Sequence, residues 1–416
     1  MTMSTAPTAP PPSARYRDVF GVPEFRTLFG VQTLLVTGES IRMIALSVLV
    51  FERTGSTLFA ALAFSAGMLP YVVGGMFLLS LADRVPPRRL LTGYFLARCA
   101  VDGVLALGGL PVPGMLALVA GIGVFAPVGS ASLGGRLPGL LSGDRYVLGR
   151  SVFTMTMAVA QIAGQAVGGL LLAVLAPSGT LLLAAASGGT AAALAWCGLK
   201  APQPQADGDS SRFSGTVRET WQVNRRLLTD RRVRGLLLAW WLPVSLAVGS
   251  EAMAVPYGSG LGRPGAAGLL LASSATGMFA GNLVLGRWVR PSVRERLTLP
   301  LALLTGAPLV AFVFGPGLAA ACALMAAGAF GMGYDLNVQA RVADVVPDRI
   351  QGQAVGLATM GIVTGQAAAM AGAGALGGLL APGYVIAVCG VGSLVGCLVV
   401  VRRLRGRFVA AERGGP

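Results

Sequence analysis

The sequence predicts an all-α polytopic membrane protein in which twelve transmembrane helices form two pseudo-symmetric six-helix bundles. The first observation is composition, because 54% of the 416 residues are hydrophobic and only 12% are charged, against about 25% charged residues in soluble domains. The second is a series of apolar runs, each close to the roughly 20 residues that cross a bilayer. The third is a likeness between the two halves of the chain, described below.

The apolar runs, bounded by Pro, Gly and Arg, define six candidate spans in each half. They cover residues 27–51, 57–80, 90–110, 114–136, 150–175, 180–199, 235–257, 265–287, 297–315, 317–339, 351–379 and 384–402. The predicted organisation is an N-terminal tail (1–26), a six-helix bundle (27–199), a linker (200–234), a second bundle (235–402) and a C-terminal tail (403–416).

The linker is the longest polar stretch of the chain. Its later part is either a solvated connection or an amphipathic helix on the membrane surface. In the second case the apolar side chains that face the membrane are Trp221, Val223, Leu227 and Leu228.

The distribution of arginine predicts that both termini are cytoplasmic. With the N-terminus inside, the inner loops receive most of the arginines and the outer loops keep only Arg53 and Arg263. This topology explains the net charge of +15 better than nucleic-acid binding does, since no basic stretch is interleaved with aromatic residues. The N-terminal tail lacks the apolar core of a signal peptide, so we expect the first span to anchor the chain in the cell membrane.

Several chemistries are excluded by composition. The chain has no histidine, which removes histidine-based catalytic triads, HExxH metal sites and histidine proton switches. The five cysteines all lie in apolar runs without metal-ligand spacing, and no Walker sequence occurs. We therefore expect no enzymatic activity, cofactor or metal. We also expect a monomer, whose partners are a small-molecule substrate, protons and the lipid bilayer, with no nucleic acid.

The two halves share a sequence pattern. LLSGDRYVLGRS (140–151) and VVPDRIQGQAVG (345–356) each lie between a polar loop and a long apolar segment. Each is followed by matching glycine steps, Gly164–Gln165 and Gly168–Gly169 in the first half, Gly365–Gln366 and Gly377–Gly378 in the second. Two halves built on one plan are typical of transporters whose substrate site lies between them near the membrane midplane.

The loop after the second span, LLSLADRVPPRRLL (78–91), resembles the cytoplasmic motif G-x-L-A-D-R-x-G-R-R of the major facilitator superfamily. Asp83, Arg84, Arg88 and Arg89 match it, whereas Leu79 and prolines replace its glycines. The resemblance implies a latch in which Asp83 faces a helix N-terminus of the other half and the arginines form ion pairs on the inner surface. Alternatively, the arginines serve only the topology.

Two further stretches concern direction of transport. FRTLFGVQ and FERTGST resemble the ends of the first helix in macrolide-efflux-type members of the superfamily. AGQAVGG (163–169) resembles the antiporter motif G-P-x-x-G-G, with Gly164, Gly168 and Gly169 retained and Gln165 in place of proline. The resemblance implies drug:proton antiport, with these glycines packing helices together.

The first span carries Glu39 and Arg42, which are three residues apart and can face each other on one helix. A charge at the bilayer centre costs about 2.5–3.5 kcal/mol, so both need a reason to be there. In the family the first, fourth, seventh and tenth helices line the central cavity, which makes Glu39 a candidate for proton coupling. It either binds a proton or stays ionised beside Arg42.

Three other intramembrane acids complete the candidate site. Asp102 lies four residues after Arg98, and we favour a structural ion pair between them. Glu251 has no arginine within helical reach and is the first choice for binding the coupling proton. Asp335 is the second choice, or else it pairs with Arg341.

The sequence thus predicts a secondary transporter that exports an amphipathic small molecule in exchange for protons by alternating access. The alternative within transport is an importer or facilitator of a small polar solute. The alternative outside transport is a membrane-embedded sensor, for which the short tails offer no signalling domain.

Overall fold

A computed structural model describes residues 15–78, 85–199, 217–263 and 265–413, and nearly all of them are helical. Short helices, Tyr16–Phe20 and Val217–Thr229, precede the two halves. The long helices are α1 (Pro23–Thr54), α2 (Thr57–Ser65 and Met68–Phe77), α3 (Pro87–Leu107), α4 (Val112–Gly135), α5 (Asp144–Val174), α6 (Pro177–Gly198), α7 (Arg231–Gly249), α8 (Ala266–Arg287), α9 (Pro291–Val310), α10 (Leu318–Gly331 and Asp335–Val345), α11 (Asp348–Leu376) and α12 (Pro382–Arg413).

Length and composition agree with the predicted membrane fold. Within the described ranges, eleven helical segments are long and apolar enough to cross a bilayer, and the apolar part of α12, Pro382–Leu398, is shorter. The prediction of an all-helical polytopic fold is confirmed. Helix bounds differ from the predicted ones by a few residues: α1 begins at Pro23, and α7 begins at Arg231 inside the predicted linker.

Proline and glycine mark many of the helix ends. Five of the long helices begin at a proline, whose missing N–H would have no partner in the first turn. Gly55 and Gly108 end α1 and α3 with φ of 63° and 70°, a conformation that suits glycine. The Arg53 guanidinium donates hydrogen bonds to the carbonyl oxygens of Gly108 (2.9 Å) and Leu110 (3.3 Å), which explains an arginine on the arginine-poor side of the bundle.

Glycine lets helices approach closely at equivalent places in the two halves. A Cβ atom added to Gly74 of α2 would lie 1.7 Å from the Val124 carbonyl oxygen of α4. A Cβ atom added to Gly277 of α8 would lie 2.1 Å from the Ala326 carbonyl oxygen of α10. Backbone contact of this kind is typical of helix packing in membranes, and its repetition gives the two halves a common architecture.

The halves meet closely at the helix ends that lie away from the chain termini. A Cβ atom added to Gly169 of α5 would lie 2.5 Å from the Cα atom of Gly268 in α8. On the other side of the interface, the Thr57 hydroxyl of α2 donates a hydrogen bond to the Gly374 carbonyl oxygen of α11 at 2.9 Å. These two contacts pair α5 with α8 and α2 with α11.

The linker contains a helix, Val217–Thr229. Leu227 is 4% exposed and belongs to the apolar core of the second half, whereas Leu228 is exposed. The helix is therefore favoured over a solvated connection, but Leu227 faces protein rather than the membrane because α7 and α11 pack against it. The predicted Trp221 contact lies outside the described side chains.

We predict that Gly277→Ala destabilises the protein, because the added methyl group would collide with the α10 backbone. Overpacking of this kind costs about 1–3 kcal/mol, which should lower the thermal unfolding midpoint of the purified protein in detergent. Gly286→Ala is the matched control on the same helix, where an added Cβ atom has nothing within 4 Å. Equal midpoints for the two variants would contradict the packing described here.

Candidate functional site

Four charged side chains meet inside the first half, between the middle of α1 and the middle of α3. Arg42 donates a hydrogen bond to Glu39 Oε1 on its own helix. Arg98 Nη1 lies 2.7 Å from Glu39 Oε2, and Arg42 Nε lies 3.6 Å from Asp102 Oδ1. Glu39, Arg42, Arg98 and Asp102 thus form one connected group, called the charge network below.

The predicted ion pair between Arg98 and Asp102 within α3 is replaced by contacts between helices. No nitrogen–oxygen distance of 4 Å or less joins these two residues, which both belong to the described ranges. The reason is the position of α1, which presents a carboxylate oxygen of Glu39 to Arg98 and the guanidinium of Arg42 to Asp102. Four residues that the sequence grouped as two local pairs therefore form a network across two helices.

Burial in the charge network is uneven. The side chains of Arg42, Arg98 and Asp102 are 5%, 7% and 2% exposed, whereas that of Glu39 is 34% exposed. Two carboxylates and two guanidinium groups cancel when all four are ionised, as buried charges require. Glu39 contacts an arginine through each oxygen, but Asp102 Oδ2 is buried without a hydrogen-bond partner.

A second site lies in the other half, where α7 ends at Gly249 and continues through a 3₁₀ turn, Ser250–Met253. Glu251 lies in this turn and is partly buried. The Ser274 hydroxyl of α8 donates a hydrogen bond to Glu251 Oε1 at 2.7 Å. In the part of the chain that the structure describes, no basic group lies within 4 Å of this carboxylate.

A small cavity of about 10 Å³ adjoins Glu251, which is room for about one water. The hydroxyl-bearing residues Ser250, Ser274 and Thr305 line it together with apolar residues of α9 and α10, among them Met325 and Met332. Helix α10 is also interrupted at this level, by the 3₁₀ turn Met332–Tyr334. Mid-helix turns of this type often mark hinges or binding sites.

Asp335 begins the second part of α10. Its alternative partner, Arg341, instead forms an ion pair with Glu295 of α9 at an exposed position. Asp335 Oδ2 accepts a hydrogen bond from Gln339 at 3.3 Å, while its Oδ1 atom is buried without a partner. Asp335 therefore has no ion pair with Arg341 or with another described residue, and of its two predicted roles proton binding stays open.

The predicted latch loop is only partly visible, because Asp83 and Arg84 lie outside the described residues. Arg88 stacks on the Trp196 ring of α6, with its guanidinium carbon 4.2 Å from the ring centroid, a favourable cation–π contact. Arg89 is exposed. The Arg88 contact lies within the first half and does not join the two halves.

The glycines of AGQAVGG occupy the junction of α1, α5 and α8. Added Cβ atoms on Gly164 and Gly168 would lie 2.9 Å from Thr37 Cα and 3.3 Å from Ile41 Cα in α1, whereas Gly169 faces α8. Gln165 is 7% exposed, and its side-chain oxygen has no partner. This stretch therefore joins the first half to the second.

Two side-chain contacts at or near the candidate site were not predicted from the sequence. Arg136 pairs with Glu24 and joins the end of α4 to the start of α1. Ser274 binds Glu251, yet nothing in the sequence LASSATG distinguishes it from neighbouring hydroxyls. Both contacts join residues far apart in the chain, and neither has a local pattern that would reveal it.

Solved structures show the same fold at low sequence identity. The nucleoside transporter NupG is 14% identical, with 91% of this chain and 99% of that chain covered and a TM-score of 0.72. A bacterial homolog of the human lysosomal transporter Spinster, inward-facing and unoccupied, is 14% identical, with 94% and 97% covered and a TM-score of 0.66. A bacterial homologue of the iron transporter ferroportin, in an inward-facing state, is 14% identical, with 94% and 99% covered and a TM-score of 0.66.

Comparison at the sequence level points to one family. No curated protein sequence matches the chain, but the family model described as Major Facilitator Superfamily matches residues 28–333. That model spans well over half of the chain, and the helical architecture agrees with it. The chain therefore belongs to the Major Facilitator Superfamily, whose members are membrane transporters and not enzymes.

Proposed function

We propose that this secondary transporter exports an amphipathic small molecule in exchange for protons, in the manner of macrolide-efflux-type drug:proton antiporters. The observation that carries the proposal is Glu251, a carboxylate at the break of α7 whose described partner is the hydroxyl of Ser274. An intramembrane carboxylate without a counter-ion can lower the cost of its burial by binding a proton. The likeness of AGQAVGG to an antiporter motif supports export.

Proton binding at Glu251 can bias the two orientations of the halves. The ionised carboxylate favours a conformation in which water reaches it, whereas the protonated form tolerates the apolar side chains of Met325 and Met332 that line its cavity. Exchange requires only that proton and substrate prefer different conformations. In the first half, the exposed third of the Glu39 side chain offers a polar contact for the substrate.

We further propose that both termini are cytoplasmic. This orientation follows the excess of arginine in the loops on the terminal side, and it puts the Gly169–Gly268 and Thr57–Gly374 contacts on the outer side of the membrane. The described conformation is then closed to the outside, in keeping with the inward-facing states of two similar structures. The loop of Asp83 acts as the latch on the inner side.

We predict that Glu251→Gln abolishes proton-driven export, because the amide keeps the shape of the side chain but cannot take up and release a proton. The measurement is ethidium efflux in cells that lack other efflux pumps, with the amount of protein in the membrane determined in parallel. Glu295→Gln is the matched control, since Glu295 lies at an exposed ion pair that contributes at most about 1 kcal/mol. Unchanged efflux in Glu251→Gln would reject the proposed role. Faster ethidium accumulation in cells that contain the wild-type protein than in cells that lack it would favour import.

We predict that Gly374→Ala loosens the closed side, because the added Cβ atom would lie 2.5 Å from the Ala61 Cβ atom of α2. A cysteine placed at Leu58, in a background without the five native cysteines, should then react faster with a membrane-impermeant maleimide. Gly372→Ala is the matched control two residues away, where an added Cβ atom has nothing within 4 Å. Equal reaction rates in the two variants would show that this contact does not control closure.

A further inference from the structure

The two carboxylates of the charge network differ in how well their negative charges are satisfied. Glu39 accepts from Arg42 through Oε1 and lies 2.7 Å from Arg98 Nη1 through Oε2. The contact of Asp102 with Arg42 is 3.6 Å long, which exceeds hydrogen-bond distance. The second oxygen of Asp102 is buried without a partner. The ionised form of Asp102 is therefore stabilised less by its contacts than the ionised form of Glu39.

Among the described residues, the helices that pack against α3 bring no further charged group to Asp102. Helices α4 and α6 pack against α3, and their sequences carry no Asp, Glu, Lys or Arg between Val112 and Gly135 or between Pro177 and Gly198. The charged groups that act on Asp102 are Arg42 and Glu39 from α1 and Arg98 from α3. A change in the charge of Asp102 therefore alters its electrostatic interactions with these three side chains.

Protonation has different consequences at the two carboxylates. A proton on Glu39 would weaken its contacts with two buried guanidinium groups and leave Asp102 as their single counter-ion. A proton on Asp102 breaks one long contact, removes the charge from an oxygen that has no hydrogen bond, and leaves both arginines paired with Glu39. Because an unsatisfied buried charge is the costlier state, the proton belongs on Asp102.

We propose that Asp102 is the proton-binding carboxylate of the charge network, and that its protonation releases Arg42 from α3. The proton comes from water and returns to it, so the network alternates between net charges of zero and +1. The positive state disfavours a cationic group at the accessible face of Glu39, and the neutral state admits one. This competition between proton and cationic substrate rests on the proposed antiport and gives it a coupling step in the first half.

Infrared difference spectra between high and low pH, recorded on the purified full-length protein in detergent, test the inference without any substrate. We expect a protonated-carboxyl band that titrates with pH in the wild type, is lost in Asp102→Asn and changes frequency in Asp102→Glu. Glu251→Gln should leave this band in place. The inference is overturned if Asp102→Asn keeps every titrating band of the wild type, or if Asp102→Glu, folded by its thermal unfolding midpoint, shifts none.

Ethidium transport in inverted membrane vesicles separates this inference from the proposed function. Asp102→Asn fixes the charge network at +1, so it should transport ethidium, a cation, more slowly than the wild type does, and a pH gradient should no longer accelerate the transport. If the wild type does not respond to a pH gradient, proton-coupled export fails while the infrared assignment of Asp102 stands. If the wild type responds and Asp102→Asn responds equally, the role of Asp102 fails while proton-coupled export stands.

Discussion

The pairing of buried charges between α1 and α3 is the constraint on which the first half depends. Arg42 and Arg98 are nearly inaccessible, and a buried guanidinium is tolerated only when carboxylates compensate it. Glu39 compensates both, which ties the rotation of α1 about its axis to the position of α3. The same arrangement leaves Asp102 with the longest contact of the network. This carboxylate is the one that we propose as the proton-binding group.

The second half accommodates its partly buried acid Glu251 without an arginine partner among the described residues. Glu251 has a hydroxyl as its described partner and lies where α7 departs from regular helix. A cavity with room for about one water adjoins it, and α10 is interrupted at the same level. The first bundle holds a paired network, whereas the described partners of Glu251 and Asp335 in the second bundle are uncharged, so the two halves carry different acidic sites although they share one architecture.

Small residues connect the charged sites to the movement of the halves. Within each half, Gly74 and Gly277 bring neighbouring helices to backbone contact, so each bundle can move as a packed unit. Between the halves, Gly169 meets Gly268, and Thr57 binds Gly374. These contacts contain no charged group, which suits an interface that must separate and re-form in each transport cycle.

The sequence by itself determined the membrane fold, the approximate spans, the repeat of the halves and the candidate acids, because hydropathy, helix punctuation and charge are local properties. Only the tertiary structure decided the partners: Arg98 binds Glu39 instead of Asp102, Arg341 binds Glu295 instead of Asp335, and Ser274 binds Glu251. Such choices depend on the rotation and vertical offset of one helix against another, which the packing of the whole bundle sets and no single segment encodes.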